Sequence, residues 1–276
     1  MTHITNTCPV PPARHAEVAP GCGTSSFPNA IPAAGSGRPR VREQRKAAWI
    51  VGIVALAAGW LVHAAEQEPG EGWRPLFDGL SFQGWRPFLG SGAPQKGWRI
   101  EEGILKKIAR ERGGNLVTED AFEEFEFSWE WRLPASANSG VKYFVLDERR
   151  QAPGHEYQMI DDSRVGNELQ KTGSFYDVLP PKPGRQPPRI GDWNESRIVV
   201  RGQKVEHWLN GERILEYHLG SPEVLEAVAR SKFKDVTGFG RRVKGRIMLT
   251  DHGDEAWFRN LRIRVPDQPA EPSSKR

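Results

Sequence analysis

Downstream of an N-terminal apolar segment, the sequence predicts an all-β sandwich with one short helical insertion. Three observations support this prediction. From Trp73 onward, short runs of alternating apolar and polar residues are separated by turn residues. Two hairpin signals follow one another directly, and a single stretch has the capping residues of a helix. Such a pattern is typical of two packed antiparallel sheets.

The clearest predicted strand is EFEFSWEWRL, residues 124–133. Aromatic and aliphatic residues alternate there with polar ones, and successive side chains of a strand point to opposite faces of its sheet. One face of this strand is therefore predicted to be buried. Its members are Phe125, Phe127, Trp129, Trp131 and Leu133.

Two successive hairpins are predicted within residues 196–219. The first turns at residues 201–203, and the second turns at Asn210-Gly211, a dipeptide that readily adopts the positive φ angles of tight hairpin turns. The preceding residues 182–194 are rich in proline, which cannot donate the hydrogen bonds of a central strand, and they are predicted to form a loop. Consecutive antiparallel strands are therefore expected after this loop.

The predicted helix lies in SPEVLEAVARSKF, residues 221–233. Ser221 suits the N-cap, Pro222 suits the first helical position, and Glu223 places a negative charge at the positive end of the helix dipole. Since the flanking segments are predicted strands, this helix is an insertion into a β fold.

The only long apolar run of the sequence lies at residues 47–62, behind two basic residues. With the small residues Ala64 and Ala65 after it, the run has the three regions of a secretory signal. Residues 41–65 are therefore predicted to be a signal peptide, and the protein is predicted to be periplasmic or extracellular. An uncleaved membrane anchor at residues 47–62 is the alternative, although a typical span needs about 20 apolar residues.

The segments at both ends are not expected to pack. Residues 1–40 are rich in Pro, Gly, Ser and Thr, and they are predicted to be disordered or to result from a mis-assigned start. Residues 70–266 are predicted to form the folded domain, followed by a disordered tail at residues 267–276. Both cysteines, Cys8 and Cys22, precede the apolar run, so cleavage of a signal would leave no thiol for a disulfide or a thiolate metal site.

Charge and motifs argue against several classes of function. The net charge is +4 over 276 residues, but basic and acidic residues are mixed along the chain, so no nucleic-acid partner is expected. The sequence contains no zinc-binding helix, EF-hand loop, P-loop or dinucleotide fingerprint. We therefore expect no metal and no cofactor, and chemistry that depends on acids, bases and electrophiles.

The strongest candidate stretch for chemistry is GHEYQMIDD, residues 154–162. Strand alternation places Glu156 and Gln158 on one face, with Tyr157 and Met159 on the other. A carboxylate beside an amide can hold adjacent sugar hydroxyls, or the carboxylate can act as a base. The alternative interpretation is an ordinary solvated strand face.

Two other segments supply polar groups near such a face. In KTGSFYDVLPP, residues 171–181, Lys171 and Tyr176 can donate hydrogen bonds and stabilise an oxyanion, although a surface loop explains both residues equally. In ANSGVKYFV, Asn138 can bind substrate or shape the turn before a strand.

The stretch GRIMLTDHGDEAWFRN, residues 245–260, predicts two strands around a polar turn. Arg259 shares the strand phase of Trp257 and several aliphatic residues, and an arginine on an apolar face needs an anionic partner or a ligand. Asp251 is the candidate partner across the hairpin. His252 is a candidate base near neutral pH, with simple exposure in the turn as the alternative.

Seven segments, taken in order from about Trp73 to Val265, resemble the 3-keto-disaccharide hydrolase domain family. The segments are LFDGLSFQGWR, WRIEEGILKK, FEFSWEWRLPASANSGVKYF, HEYQMIDD, KTGSFYD, GDWNESRIVVRGQKVEHWLNG and GRIMLTDHGDEAWFRNLRIR. The resemblance implies a two-sheet concanavalin-like jelly-roll sandwich and an exported hydrolase or lyase that acts on glycosides with a ketone at C3 of the sugar. The carbohydrate substrate is the only partner it implies.

The resemblance also implies a set of site residues. As catalytic residues it implies Glu156, His252 and Lys171. As substrate-binding residues it implies Gln158, Tyr176, Arg259 and Asn260, and the turn before the strand adds Asn138 as a candidate. Chemistry supports such a site, because a ketone at C3 acidifies the C2 proton, so that a base can form an enolate, the C1 substituent can leave, and water can add.

Two other functions are compatible with the same sequence. A non-catalytic carbohydrate-binding sandwich would present an open platform of aromatic side chains and would need no base. A conventional glycosidase of jelly-roll type would need two carboxylates at one of two characteristic separations. A site in which Glu156, His252 and Lys171 converge would favour the 3-keto-glycoside enzyme.

Overall fold

The computed structural model describes residues 72–151 and 153–266. The predictions for residues 1–40, 41–65 and 267–276 lie outside the described residues, as does the apolar run with its candidate anchor. Within the described ranges, no helix is both long and apolar enough to cross a membrane.

The described chain consists mainly of strands. The strands are β1 (Trp73–Pro75), β2 (Trp85–Pro87), β3 (Trp98–Glu101), β4 (Ile104–Lys107), β5 (Leu116–Thr118), β6 (Phe125–Arg132), β7 (Asn138–Val145), β8 (His155–Ile160), β9 (Asn194–Arg201), β10 (Lys204–Leu209), β11 (Glu212–His218), β12 (Arg246–Leu249) and β13 (Ala256–Arg264). Helix α1 (Pro222–Arg230) follows β11, and two single-turn 3-10 helices, Asp162–Arg164 and Glu168–Gln170, follow β8.

These strands form two antiparallel sheets. The large sheet has the order β11-β10-β9-β6-β13-β4-β3, and β1 also pairs with β13. The small sheet has the order β2-β5-β12-β7-β8, so that β8 is an edge strand. The predicted two-sheet jelly-roll sandwich with one helical insertion is confirmed. The Ser221 side chain caps α1 by accepting a hydrogen bond from the Val224 amide, as its sequence predicts.

The core lies between the sheets and follows the alternation that was predicted for β6. Trp129 is fully buried, stacks on Phe127 with ring centroids 5.0 Å apart, and meets the edge of Tyr157 from β8 at 5.1 Å. Trp131 is fully buried as well. These aromatic contacts join the central strand of the large sheet to the edge of the small sheet, and they fix where β8 lies.

One strand breaks the simple alternation. For that reason, the prediction that Arg259 shares a face with the aliphatic residues of this strand is wrong. β13 contains a bulge at Asn260, which has a φ of 52°, and the pairing with β6 shifts between Arg259 and Arg262. Phe258 faces the core before the bulge and Leu261 faces it afterwards. Arg259 therefore lies on the outer face of the large sheet.

Candidate active site

The candidate active site lies on the outer face of the small sheet, where β7 and β8 pair. Lys142 is directly opposite Glu156, and Gly140 is directly opposite Gln158. Tyr157 and Met159, between these positions in β8, are fully buried in the core, as the strand alternation predicted.

Glu156 and Gln158 do not form a solvated strand face. Their exposed fractions are only 6% and 2%. The space for the Glu156 carboxylate is provided by Gly140, because a Cβ atom at that position would collide with Glu156 Oε1. A buried carboxylate and amide on an outer sheet face require partners, and a site is the simplest reason for their position.

Two basic side chains flank the Glu156 carboxylate. Lys142 Nζ lies 3.3 Å from Oε2, and His252 Nε2 lies 3.6 Å from Oε1, which is ion-pair distance but beyond a hydrogen bond. Burial alone would raise the pKa of Glu156, but Lys142 and His252 outweigh burial and hold this pKa below its usual value. Glu156 is therefore ionised at neutral pH.

Three oxygen atoms on this face are buried without a hydrogen-bond partner. They are Glu156 Oε1, Gln158 Oε1 and Asn138 Oδ1. Asn138 lies in the strand phase of Gly140 and Lys142, so all three oxygens belong to the outer face of β7 and β8. An unpartnered buried polar group costs roughly 1–3 kcal/mol. A ligand whose hydroxyl groups reached these oxygens would remove this cost.

The segment from Lys171 to Tyr176 forms one wall of the site by adding hydrogen bonds along the free edge of β8. The Gly173 amide donates to the Gln158 carbonyl at 2.8 Å, and the Tyr176 amide donates to the Glu156 carbonyl at 3.0 Å. Tyr176 is thereby held beside Glu156. Its pKa is raised, first by burial and then by the negative charge of Glu156.

A buried histidine of the core, His207, also holds this wall in place. His207 Nδ1 lies 2.9 Å from the Gly173 carbonyl, and His207 Nε2 lies 2.9 Å from the Tyr143 hydroxyl. Because a carbonyl can only accept, Nδ1 carries the proton and Nε2 accepts from Tyr143. Burial lowers the pKa of His207 to about 4, so the ring is neutral and this arrangement of bonds persists at neutral pH.

The structure does not bring Lys171 to Glu156. The Lys171 ammonium binds Glu168 Oε1 at 2.5 Å, and no ion pair joins it to Glu156 among the described residues. The cations beside the site come from elsewhere in the chain. Lys142 pairs with Glu156, and Lys232, just after α1, places its ammonium 4.2 Å from the centre of the Tyr176 ring.

The sequence carried a signal for Lys142 that was missed. It is a lysine within the apolar strand VKYFV, two positions after the glycine that accommodates Glu156. Lys232 had no comparable signal, because its position depends on how the loop after α1 returns over β8.

Asp251 has a different partner from the one predicted. Its Oδ1 lies 3.0 Å from Lys107 Nζ, and both side chains are almost completely buried. Its Oδ2 accepts hydrogen bonds from the Gly113 and Gly114 amides at 3.0 and 2.9 Å. The predicted pair with Arg259 is wrong, although Asp251 does hold the turn that presents His252.

Arg259 and Asn260 lie on the opposite side of the sandwich from the candidate site. The prediction that they bind substrate there is therefore wrong. Arg259 Nε donates to Glu130 Oε2 at 2.8 Å, and Asn260 Nδ2 donates to Glu130 Oε1 at 2.6 Å. Glu130 lies on β6 of the large sheet, so this cluster is separated from Glu156 by the core. The bulge in β13 is the physical reason.

The described surface also has cavities away from the candidate site. One of about 320 Å³ lies over β9, where Asn194 and Asn210 contribute to its lining. Asn194 Oδ1 accepts hydrogen bonds from the Arg189 amide and from Asn210 Nδ2, so these lining groups satisfy one another. We assign the site to the small sheet because buried oxygens there lack hydrogen-bond partners, and not because of cavity size. Among the described residues, no group of three or more His, Cys, Asp or Glu side chains is arranged to hold a metal ion.

Known relatives match nearly the whole described domain. The family model for the "3-keto-alpha-glucoside-1,2-lyase-like domain" matches residues 72–264. A 3-keto-disaccharide hydrolase of Bacteroides thetaiotaomicron is 32% identical over 232 residues, and the match covers 71% of this chain and 79% of the relative.

Solved structures agree with this match. A candidate glycosyl hydrolase of Parabacteroides distasonis superposes with a TM-score of 0.64 at 32% identity, covering 71% of this chain and 95% of that one. A second candidate glycosyl hydrolase of the same organism has a TM-score of 0.57 at 27% identity and covers 70% and 98% of the two chains. The resemblance seen in the sequence is thus confirmed, and the chain belongs to the 3-keto-alpha-glucoside-1,2-lyase-like domain family.

Proposed function

We propose that this protein cleaves glycosides whose sugar carries a ketone at C3, by removal of the C2 proton, elimination and hydration. The observation that carries the proposal is the Glu156 carboxylate, which is buried, ionised and without a hydrogen-bond partner at Oε1, beside the Gln158 oxygen, which has none either. The family match and the 3-keto-disaccharide hydrolase relative support this choice of substrate.

In this proposal Glu156 is the base. Its unpartnered Oε1 takes the proton from C2, and the electrons of the broken C–H bond form an enolate with the C3 carbonyl. The enolate then expels the C1 substituent, which leaves a C1=C2 double bond conjugated with the re-formed ketone. Addition of water at C1 completes the hydrolysis, whereas release before water adds makes the protein a lyase.

His252 is the second proposed catalytic group. It acts at the C1 oxygen, while Glu156 acts at C2. Only 3.6 Å separates His252 Nε2 from Glu156 Oε1, so a pyranose ring cannot lie between the two side chains. The ring instead lies across both, with C2 above Glu156 and the C1 oxygen toward His252. The His252 side chain is 38% exposed, which suits a group that hands a proton to a departing alcohol at the mouth of the site.

Matched glycosides test the proposal. Purified protein is incubated with a native glucoside and with its 3-keto form, in heavy water, and the products are followed by NMR. We expect cleavage of the 3-keto form alone, with deuterium at C2 of recovered substrate or product. Equal cleavage of both forms would indicate a conventional glycosidase, and binding without cleavage would indicate a carbohydrate-binding protein.

We also propose that residues 41–65 direct export, with the candidate anchor at residues 47–62 as the alternative. The support is the basic, apolar and small-residue order of this segment. Fractionation of expressing cells, with the N-terminus of the product sequenced, distinguishes a cleaved exported protein from one retained in the membrane.

A further inference from the structure

We infer that Lys142 is a catalytic residue whose ammonium pairs with Glu156 in the resting site and moves to the C3 oxygen of the substrate as the C2 proton is removed. This inference rests on the proposed function, and it assigns the electrophilic role to a lysine outside the predicted site residues.

The position of Lys142 is the first reason. It lies directly across from Glu156 in the β7–β8 pair, its side chain is only 15% exposed, and Nζ is 3.3 Å from Glu156 Oε2. The other carboxylate oxygen, Oε1, has no hydrogen-bond partner. The carboxylate thus has one oxygen oriented by the Lys142 cation and one oxygen without a hydrogen-bond partner.

The second reason is that the resting pair weakens the base. Lys142 is the largest of the influences that hold the pKa of Glu156 below its usual value. A weak carboxylate base cannot remove a C2 proton efficiently unless the new negative charge is stabilised where it forms. A cation already beside the base is the group best placed to do so.

The charge balance of the step supports the transfer. The C2–H bond breaks and its proton binds Glu156 Oε1, while the electron pair forms a C2=C3 bond and the carbonyl pair moves onto the C3 oxygen. One negative charge leaves Glu156 and one appears on the C3 oxygen, so the net charge around Lys142 does not change. The ammonium has three N–H donors and can follow that charge with a small side-chain rotation.

The elimination reverses this movement of charge. The C3=O bond re-forms, the C2=C3 electron pair becomes the C1=C2 bond, and the C1–O bond breaks with its pair on the departing oxygen. That oxygen takes a proton from His252 or from water. Lys142 then returns to Glu156 when the carboxylic acid gives its proton to C2 as water adds at C1, or to solvent if the unsaturated product is released first.

The other lysines near this face are less suited to the role. Lys171 is paired with Glu168, and Lys232 lies over the Tyr176 ring with no ion pair to Glu156 among the described residues. Of these three lysines, Lys142 alone contacts the proposed base.

The test compares Lys142→Met and Lys142→Arg with Lys106→Met. Lys106 is the matched control, because its ammonium lies 3.4 Å from Glu255 in an ion pair on the large sheet. Each variant is checked by thermal melting and assayed for turnover of a 3-keto glycoside. Each is also assayed for exchange of the C2 proton with heavy water in a 3-keto sugar analogue that has no leaving group.

We expect Lys142→Met to lower both exchange and turnover by about 10²–10³, as for loss of one oxyanion donor. Without the lysine charge the pKa of Glu156 rises, so the acid limb of the pH profile of kcat/KM should move to higher pH. Lys142→Arg should keep the acid limb near its wild-type position and retain part of the rate. Lys106→Met should change neither the exchange rate nor the pH profile.

Three results would overturn the inference, and they are distinguishable. If wild-type protein cleaves the 3-keto glycoside and folded Lys142→Met exchanges the C2 proton equally fast, Lys142 does not hold the C3 oxygen and the proposed function stands. If wild-type protein neither cleaves nor exchanges, the proposed function and the inference fail together. Should Lys142→Met not fold, Lys142→Arg with an unchanged rate and an acid limb displaced from wild type would also contradict the inference.

Discussion

Glu130 on the large sheet and Glu156 on the small sheet are both strand glutamates that face away from the core, and both lie beside basic residues. Glu130 has both oxygens bonded, one by Arg259 and one by Asn260, and its side chain is 28% exposed. Glu156 is only 7% exposed by side chain, yet its Oε1 has no hydrogen-bond partner. The difference lies in how the two residues are partnered and not in their type.

The aromatic residues of the outer faces extend this comparison. On the large sheet the Arg259 guanidinium lies 4.0 Å from the centre of the Trp193 ring, and that of Arg132 lies 4.3 Å from the centre of the Trp257 ring. A sugar would have to displace these cations before it could stack on the rings. Trp193 and Trp257 are thus covered by cations, and the open platform of a carbohydrate-binding sandwich is not what this face presents.

The largest expected effect is on turnover, and it distinguishes Glu156 from Glu130. Glu156→Gln removes the proposed base while keeping its shape, and turnover of a 3-keto glycoside should fall by about 10⁴, the upper range for a general base. Glu130→Gln is the matched control, and it should leave turnover unchanged. The assay is kcat on folded, purified variants. If the two variants lose activity equally, the site has been placed on the wrong sheet.

Much of the fold could be predicted because it depends on local patterns. The alternation around Trp129, the Asn210-Gly211 turn and the capping of α1 by Ser221 are each determined within a few residues of sequence. The family resemblance then supplied the topology, which periodicity alone cannot give.

The candidate site was predicted less well, because it depends on contacts between distant residues. The strand phases of Glu156 and Gln158 were readable, but their burial depends on the neighbouring strand and on the segment that adds to β8. A bulge at Asn260 moved Arg259 to the opposite face, and no local feature indicated this bulge. The prediction that Lys171 lies beside Glu156 was wrong for a similar reason, because Glu168 in the preceding turn binds the Lys171 ammonium.

The next largest effects distinguish the roles of Asp251 and His252, which are neighbours in one turn. Asp251→Ala leaves the Lys107 ammonium buried without its carboxylate, which should cost about 3–5 kcal/mol of folding stability. His252→Ala should change stability by less than about 1 kcal/mol, because the side chain is partly exposed. It should nevertheless lower turnover by about 10².

Chemical denaturation and turnover of both variants provide the measurements. A His252→Ala variant with full activity would show that the imidazole is not needed, and Glu156 would then act without it. An Asp251→Ala variant as stable as the wild type would show that Lys107 finds another partner.

The smallest expected effect tests the position of Arg259. Arg259→Ala removes a partly exposed ion pair to Glu130 and a cation–π contact to Trp193, each worth about 1 kcal/mol or less at such a site. Because the core separates this cluster from Glu156, kcat and KM for a 3-keto glycoside should stay within about twofold of wild type, a difference of less than about 0.5 kcal/mol. The stability loss should shrink at high salt, since screening weakens exposed ion pairs. A tenfold loss of activity in folded Arg259→Ala would mean that the two faces communicate through β13, and the separation drawn between Glu130 and Glu156 would have to be abandoned.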